Sequence, residues 1–509
     1  MRPTIRSAAC SSSYGGGNVS GVITGYSVET IRRAEQALPD LLESGELMSR
    51  AARGVARLTS GRMRDRGFRR VTGLVGPGNN GADTLYALAR LARRGFEATA
   101  VCVDPESSPT VSAAAERARS RGARVLTGDG AEALTAIARA EVVLDGITGI
   151  GGRPGLPPFA RPWVDAIRDR TWVIAVDTPS GQPVDGGPLV ADAVFADETV
   201  TFGAPKAVHL MPSTEPTCGI LTVLDIGLDL TDATPIVVRL TPDDVPLLWP
   251  VPTTADDKYS RGVLGLIAGG ERYTGAAVLA STAAVTAGAG MVRYVGPQAP
   301  TDLVRQAAPE VVPGEGRVQA WCIGSGLDPE ATGEGAAEQL AAARKALASD
   351  VPVVLDAGGL DLLDGPREAP TLLTPHAGEC ARALTRLRGR ATALTRAEVE
   401  ADPLEHARML ARLTGATVLL KGAVTHVVDA DGPVHVHDDA PAWLATAGSG
   451  DVLAGLVGTL LAAGLDPTTA ASLGVLVHGR AAEHANPGGP VRALAVAHAI
   501  GPTIAALLR

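Results

Sequence analysis

Gly448-Ser449-Gly450-Asp451, running into Val452-Leu453-Ala454-Gly455-Leu456-Val457, is the stretch on which the reading of the C-terminal half turns. The apolar run reads as a helix. Small residues ahead of a helix let backbone N–H groups converge on an anion, and the helix dipole favours negative charge there. An Asp closing such a loop sits beside the bound anion, where it can take a proton from a nucleophilic hydroxyl. Two upstream runs complete the constellation: Thr374-Pro375-His376-Ala377-Gly378-Glu379 and Lys421-Gly422. Charge neutralisation plus a positioned base is what phosphoryl transfer requires. The blander reading makes Asp451 a helix N-cap only, and its Gly-Ser-Gly prefix weighs against that.

Around this loop, apolar runs alternate with Ala-rich helical stretches. Strands are expected at 262–268, 321–323, 351–355, 372–373 and 416–420, a helix at 276–289, and a hairpin from 424–429 and 434–437. Upstream the same alternation appears, with strands expected at 71–75, 99–103, 141–144, 172–176, 199–202 and 221–224 and helices at 83–94 and 111–121. Alternation of this kind gives an α/β fold with a parallel sheet, and ligands then sit at the carboxyl ends of its strands. A proline-rich segment separates the two patterns, and a linker is placed at 231–250.

The upstream half carries its own loops. Gly76-Pro77-Gly78-Asn79-Asn80-Gly81-Ala82-Asp83 follows a strand and opens a helix, and Asp104 comes 23 residues after Gly81. That is the spacing of a dinucleotide-binding fingerprint, although an Asn-Asn pair is unusual in one. Two further strand ends carry Asp145 in Leu-Asp-Gly-Ile-Thr-Gly-Ile-Gly and Asp177 in Val-Asp-Thr-Pro-Ser180-Gly. Asn80, Asp145 and Ser180 would offer oxygen ligands to a hard cation, leaving Asp177 as a base or a ribose ligand. Read blandly, these glycines are turn residues and the Asp residues N-caps; their recurrence at successive strand ends argues for a site.

Composition sets the bounds. The 509 residues suffice for two or three domains of about 150 residues each. Aromatic residues make up only 3%, so the cores must be built from Ala, Val and Leu. A net charge of -9 argues against a general nucleic-acid binder. Five scattered cysteines, with no C-x-x-C pair, fit a reducing cytoplasm. No uninterrupted apolar run of membrane-spanning length occurs, and residues 1–22, which lack the apolar core of a signal peptide, read as a disordered extension. Only four of the 46 basic residues are lysine: Lys206, Lys258, Lys345 and Lys421. A chain that uses Arg for ordinary solvation keeps lysine where a compact ammonium is needed, and Lys206 and Lys421 both follow strands in Gly-containing loops. Lys345 reads as a helix-surface residue.

The upstream loops resemble those of the NAD(P)H-hydrate epimerases, over about 25–230, including Leu47-Met48-Ser49-Arg50-Ala51-Ala52 and Phe202-Gly203-Ala204-Pro205-Lys206. That resemblance implies a Rossmann-like domain at 23–230 that binds potassium through Asn80, Asp145 and Ser180. It further implies that Asn79, Asn80, Gly81, Ala82, Asp83, Gly149, Ile150, Gly151, Gly152, Arg153, Pro154, Gly155 and Asp177 contact the hydrated nicotinamide nucleotide. Asp177 is then the leading acid/base residue, and Lys206 a candidate to polarise the substrate. The chain departs from the family's Asn-Asn-Gly-Gly-Asp-Gly at Ala82 and Thr84. A methyl at Ala82 would bar positive φ and crowd a phosphate.

The downstream half resembles ribokinase-like kinases, and more closely the ADP-dependent NAD(P)H-hydrate dehydratases, over about 257–509, which implies a ribokinase-like domain at 251–509. The likeness rests on Lys258-Tyr259-Ser260-Arg261-Gly262, Gly269-Gly270-Glu271-Arg272-Tyr273-Thr274-Gly275-Ala276, Gly324-Ser325-Gly326-Leu327 and Leu355-Asp356-Ala357-Gly358. The Thr-Pro-His-Ala-Gly-Glu run is its most specific element. By this resemblance Ala276, Gly326, His376 and Asp451 contact the hydrate. Lys421, Gly422, Ala423, Val424, Thr425, Gly448, Ser449 and Gly450 hold ADP or ATP with Mg²⁺. Asp356-Ala357-Gly358 departs from a commoner Asp-Ala-Asp pattern. The resemblance implies a cytoplasmic homo-oligomer that repairs hydrated NADH and NADPH, without nucleic-acid or membrane partners. The alternative is a vitamin or sugar kinase with a fused NAD-binding domain. His376 and Glu379 have structural readings too, as a turn residue and a helix cap. His435 and His437 share one strand face, and a solvated hairpin is preferred there over a metal site.

Overall fold

The computed structural model describes residues 21–106, 108–389, 393–438 and 440–509. All but the end of the extension expected over 1–22 lies outside the described residues. Contacts within the chain divide it into two compact units, one of residues 24–237 and the other of residues 238–509 with the short stretch that ends at Ile23.

The N-terminal sheet is built from β1 (Arg70–Val75), β2 (Glu97–Cys102), β3 (Arg124–Thr127), β4 (Val142–Gly146), β5 (Trp172–Val176), β6 (Glu198–Phe202) and β7 (Ile220–Leu224). Its order is β3-β2-β1-β4-β5-β6-β7, with every neighbouring pair parallel. Side chains alternate between the faces of a strand. Val71, Val75 and Leu144 accordingly join one apolar cluster, and Leu74, Val143 and Val173 join another. The strand order reverses between β1 and β4, which opens a crevice at their carboxyl ends. Chain density there demands glycine: a Cβ on Gly76 would lie 1.8 Å from the Ile147 carbonyl oxygen, and one on Gly81 2.1 Å from that of Gly76.

The C-terminal sheet contains β8 (Val263–Ile267), β9 (Met291–Tyr294), β10 (Val312–Pro313), β11 (Ala320–Ile323), β12 (Val353–Leu355), β13 (Thr371–Leu373), β14 (Thr417–Leu420), β15 (Thr425–Val428) and β16 (Val434–His437). These run in the order β16-β15-β14-β13-β12-β11-β8-β9-β10. Strands β8 to β14 pair in parallel, while β15 and β16 form the expected antiparallel hairpin. The Ala-rich helix Thr274–Thr286 and the helix Ser449–Ala462 approach each other so closely that a Cβ on Gly455 would sit 2.2 Å from the Ala280 carbonyl oxygen. Small residues here do the packing that aromatic rings do elsewhere.

The segment expected as a linker is partly built into the C-terminal unit. Val245–Leu248 is helical, and Val245 and Trp249 pack with Leu456, Leu473 and Val496. Among the described residues no helix is long and apolar enough to cross a membrane.

Candidate active sites

In the N-terminal unit, the loops after β1, β4 and β5 converge. The helix Asn79–Arg93 begins at Asn79, four residues earlier than the apolar pattern indicates, with Gly78 as its N-cap. Asn79, Asn80, Gly81 and Ala82 therefore form a first turn, whose leading N–H groups have no intrahelical acceptor, and Asp83 follows it. Ala82 is fully buried among core side chains, and its N–H bonds the Gly78 carbonyl. This corrects the sequence expectation: helical backbone needs no positive φ at Ala82, and its methyl faces the core.

Asn80 donates from Nδ2 to the Thr148 carbonyl at 3.0 Å, while its buried Oδ1 has no hydrogen-bond partner. The Ser180 hydroxyl lies 2.6 Å from Asp145 Oδ1 and 3.1 Å from the same Thr148 carbonyl. Asn80, Asp145 and Ser180 are thus gathered around one loop. Burial pushes the Asp145 carboxyl up to about 6, against hydrogen bonds from the Ser180 side chain and backbone and the Ile147 amide. Gly149 lies against Asn80, with its Cβ position 3.2 Å from the side chain. Of the rest of that loop, Ile150, Gly152 and Gly155 are half-buried, whereas Gly151, Arg153 and Pro154 are exposed.

Asp177 adopts a left-handed backbone conformation, φ 68°, which non-glycine residues rarely hold without support. The support is visible. His209 accepts the Lys206 N–H at Nδ1, 2.9 Å, so Nε2 carries the proton and donates to the Asp177 carbonyl at 2.8 Å. Burial, with the Lys206 charge, pushes this imidazole down to about 3, keeping it neutral. The Lys206 ammonium, 1% exposed, donates to Asp177 Oδ1 at 2.7 Å, to Thr201 Oγ1 at 2.8 Å and to the Phe202 carbonyl at 3.0 Å. Three acceptors use its three N–H bonds, so Lys206 serves Asp177 rather than reaching a substrate. Burial raises the Asp177 carboxyl, but the Lys206 charge and hydrogen bonds more than offset it and hold the group below its ordinary value. Thr201 and His209 were not singled out from the sequence. A Lys-x-x-His spacing at a helix start was the available signal.

In the C-terminal unit, successive strand ends supply Ser325, Asp356, Thr374 and Lys421. Asp356 gathers them: it accepts from Ser325 Oγ at 2.9 Å, Thr374 Oγ1 at 2.8 Å and Lys421 Nζ at 2.7 Å. Desolvation pulls the Lys421 ammonium down, yet the charges of Asp356, Glu379 and Asp451 hold it above the usual lysine range. The loop Ala447-Gly448-Ser449-Gly450 brings the helix Ser449–Ala462 to this cluster, with Gly448 at φ 88° as its N-cap. Gly450 is so near that its Cβ position is 3.3 Å from Lys421 Nζ. Burial and the Asp356 charge push the Asp451 carboxyl up to about 6, against the pull of Lys421 and a hydrogen bond from Ser325. Gly326 and Ala276 abut, with a Gly326 Cβ position 2.8 Å from the Ala276 methyl. Gly422, Ala423, Val424 and Thr425 form the turn into β15, with Gly422 and Ala423 exposed.

His376 caps the helix Ala377–Arg388: its Nδ1 accepts from the Gly378 and Glu379 amides, and Glu379 reaches back to the His376 N–H at 2.8 Å. Glu379 thus has the capping role the bland reading gave it, and His376, read as a turn residue, is the N-cap itself. Neither nitrogen of the buried His437 ring has a partner, and burial pushes that ring down to about 3. The hairpin is therefore packed rather than solvated as expected. Among the described residues, no group of three His, Cys, Asp or Glu side chains could hold a metal ion.

An α/β protein with two crevices, each holding a buried carboxylate beside a lysine, is the class that fold and geometry define. Residues 44–208 match the family described as YjeF-related protein N-terminus, and residues 264–499 the family described as NAD(P)H-hydrate dehydratase. The chain is 42% identical over 464 residues to the bifunctional NAD(P)H-hydrate repair enzyme Nnr of Mycobacterium tuberculosis, covering 88% of this chain and 91% of the relative. It is likewise 42% identical to the Nnr of Mycobacterium leprae, covering 90% and 93%. A solved ADP/ATP-dependent NAD(P)H-hydrate dehydratase from Bacillus subtilis, co-crystallized with ATP/Mg²⁺, aligns at 26% identity and a TM-score of 0.46, over 52% of this chain and 97% of its own. The chain belongs to the bifunctional NAD(P)H-hydrate repair enzymes.

Proposed function

We propose that the two crevices divide the repair of hydrated NADH and NADPH between them. The N-terminal site interconverts the R and S hydrates with Asp177 as base. The C-terminal site dehydrates the S form at the expense of ADP or ATP. The observation that carries this reading is Asp451, at the mouth of a glycine-lined helix start and beside a lysine already fixed by Asp356.

In the C-terminal site Asp451 takes the proton of the C6 hydroxyl as that oxygen attacks the terminal phosphorus of the nucleotide. The bond from that phosphorus to the leaving AMP, or ADP when ATP is used, breaks. Lys421 and the amides near Gly448 and Gly450 stabilise the transferring group. The ring nitrogen lone pair then expels phosphate from C6, and loss of the C5 proton restores the double bond. A base near pH 6 suits abstraction at neutral pH. Mg²⁺, which usually keeps its waters and binds through substrate phosphates, would be held chiefly by the nucleotide.

In the N-terminal site the unpartnered Asn80 Oδ1, the Asp145 carboxyl and the Ser180 hydroxyl fit a hard monovalent cation. Potassium bound there would offset the negative charge of the substrate phosphates. The test is to incubate the protein with mixed R and S hydrates of NADH plus ADP and follow absorbance at 340 nm. Recovery beyond the S fraction supports both activities; none for either form would sink the reading in favour of a kinase of another small molecule.

A further inference from the structure

Interconversion of the two hydrates needs a proton donor as well as a base, and Asp177 with its lysine supplies only the base. Asp83 directly follows the first turn of the helix Asn79–Arg93, is 8% exposed, and its Oδ1 has no hydrogen-bond partner. A buried carboxylate without a cation or a hydrogen bond does not stay charged. The charged groups that bear on it deepen the case. The charges of Asp177, in the loop after β5, and of Glu35, in the helix Val28–Gln36, both bear on it. Lys206 is committed to Asp177, Thr201 and the Phe202 carbonyl, Arg32 bears on Glu35, and His209 is neutral. Burial, then the Asp177 and Glu35 charges, hold the Asp83 carboxyl well above its ordinary range. Asp177 is held below its own. Two carboxyls driven apart in one crevice make an acid and a base.

We propose that Asp83 is the acid that works with Asp177 in hydrate interconversion. The inference rests on the epimerase reading of this crevice. Asp177 removes the C6 hydroxyl proton; the C6–N1 bond breaks, its electron pair goes to N1, and N1 takes the proton of Asp83. C6 is then an aldehyde. Rotation about the C5–C6 bond presents its other face, N1 attacks C6 and returns its proton to Asp83, and the oxygen recovers the proton from Asp177.

The experiment measures R-to-S interconversion in the full-length protein, with dehydration of pure S hydrate as the internal control for folding. Asp83→Asn keeps the shape and a hydrogen-bond donor but cannot transfer a proton. It is expected to slow interconversion at least about a hundredfold while S dehydration is unchanged. Glu35→Gln removes a neighbouring charge, so the alkaline limb of the interconversion profile should move to lower pH with the plateau retained. Near wild-type interconversion in Asp83→Asn, or an unmoved alkaline limb in Glu35→Gln, would overturn the proposal. A wild-type protein that dehydrates the S form yet never converts the R form would instead overturn the epimerase reading itself.

Discussion

Asp177 and Asp451 make an instructive pair. Asp177 is a buried and Asp451 a half-buried carboxylate at a strand or helix end, each has one of the chain's four lysines beside it, and their proton affinities move in opposite directions. The difference lies in whom the lysine serves. Lys206 bonds Asp177 directly at 2.7 Å, and among the described residues no second acid is ion-paired with that ammonium. Lys421 is bonded by Asp356 at 2.7 Å, with Glu379 at 3.9 Å, so Asp451 feels the repulsion of Asp356 as well as the attraction of Lys421. A lysine next to a carboxylate does not fix its charge state; the ownership of the lysine does.

The comparison can be broken in several places. Asp451→Asn should have the largest effect, lowering S-hydrate dehydration by about 10²- to 10⁴-fold, with R-to-S interconversion untouched, as measured by absorbance recovery and chromatography of the hydrates. Lys206→Met should leave Asp177 buried and unpaired, destabilising the N-terminal unit by about 3–5 kcal/mol in denaturant unfolding. In the wild type, dehydration should rise with pH through about 6 as Asp451 loses its proton. Asp356→Asn removes the repelling charge and releases Lys421, so that rise should shift to lower pH. Smallest of all, Lys345→Ala breaks an exposed pair with Glu315, and thermal unfolding should register less than about 1 kcal/mol.

The sequence carried much of this, unevenly. Strand runs such as Trp172–Val176 stood out because both faces are buried and the residues are β-branched or apolar. The edge strand Arg124–Thr127 did not, being four residues long and half-exposed, and neither did the two-residue strand Val312–Pro313. The helix at Asn79 began unseen because its first turn is Asn-Asn-Gly, which has low helix propensity but is held by Gly78 and by the close packing of Gly76 and Gly81. The carboxylates at strand ends were legible as candidates from position alone. What joins them was not. That Asp356 claims Lys421, or that His209 locks Asp177, depends on loops far apart in the chain meeting in space.

The scarcity of lysine has a practical consequence for following this protein's motions. Lys206 is sealed in its network at 1% exposure, while the Lys345 side chain is 73% exposed. An amine-acylating reagent will mark Lys345 at once, but Lys206 only when the N-terminal unit opens. The ratio of the two labels, read by mass spectrometry over time, is an internally calibrated clock for that opening, and a bound hydrate should slow it.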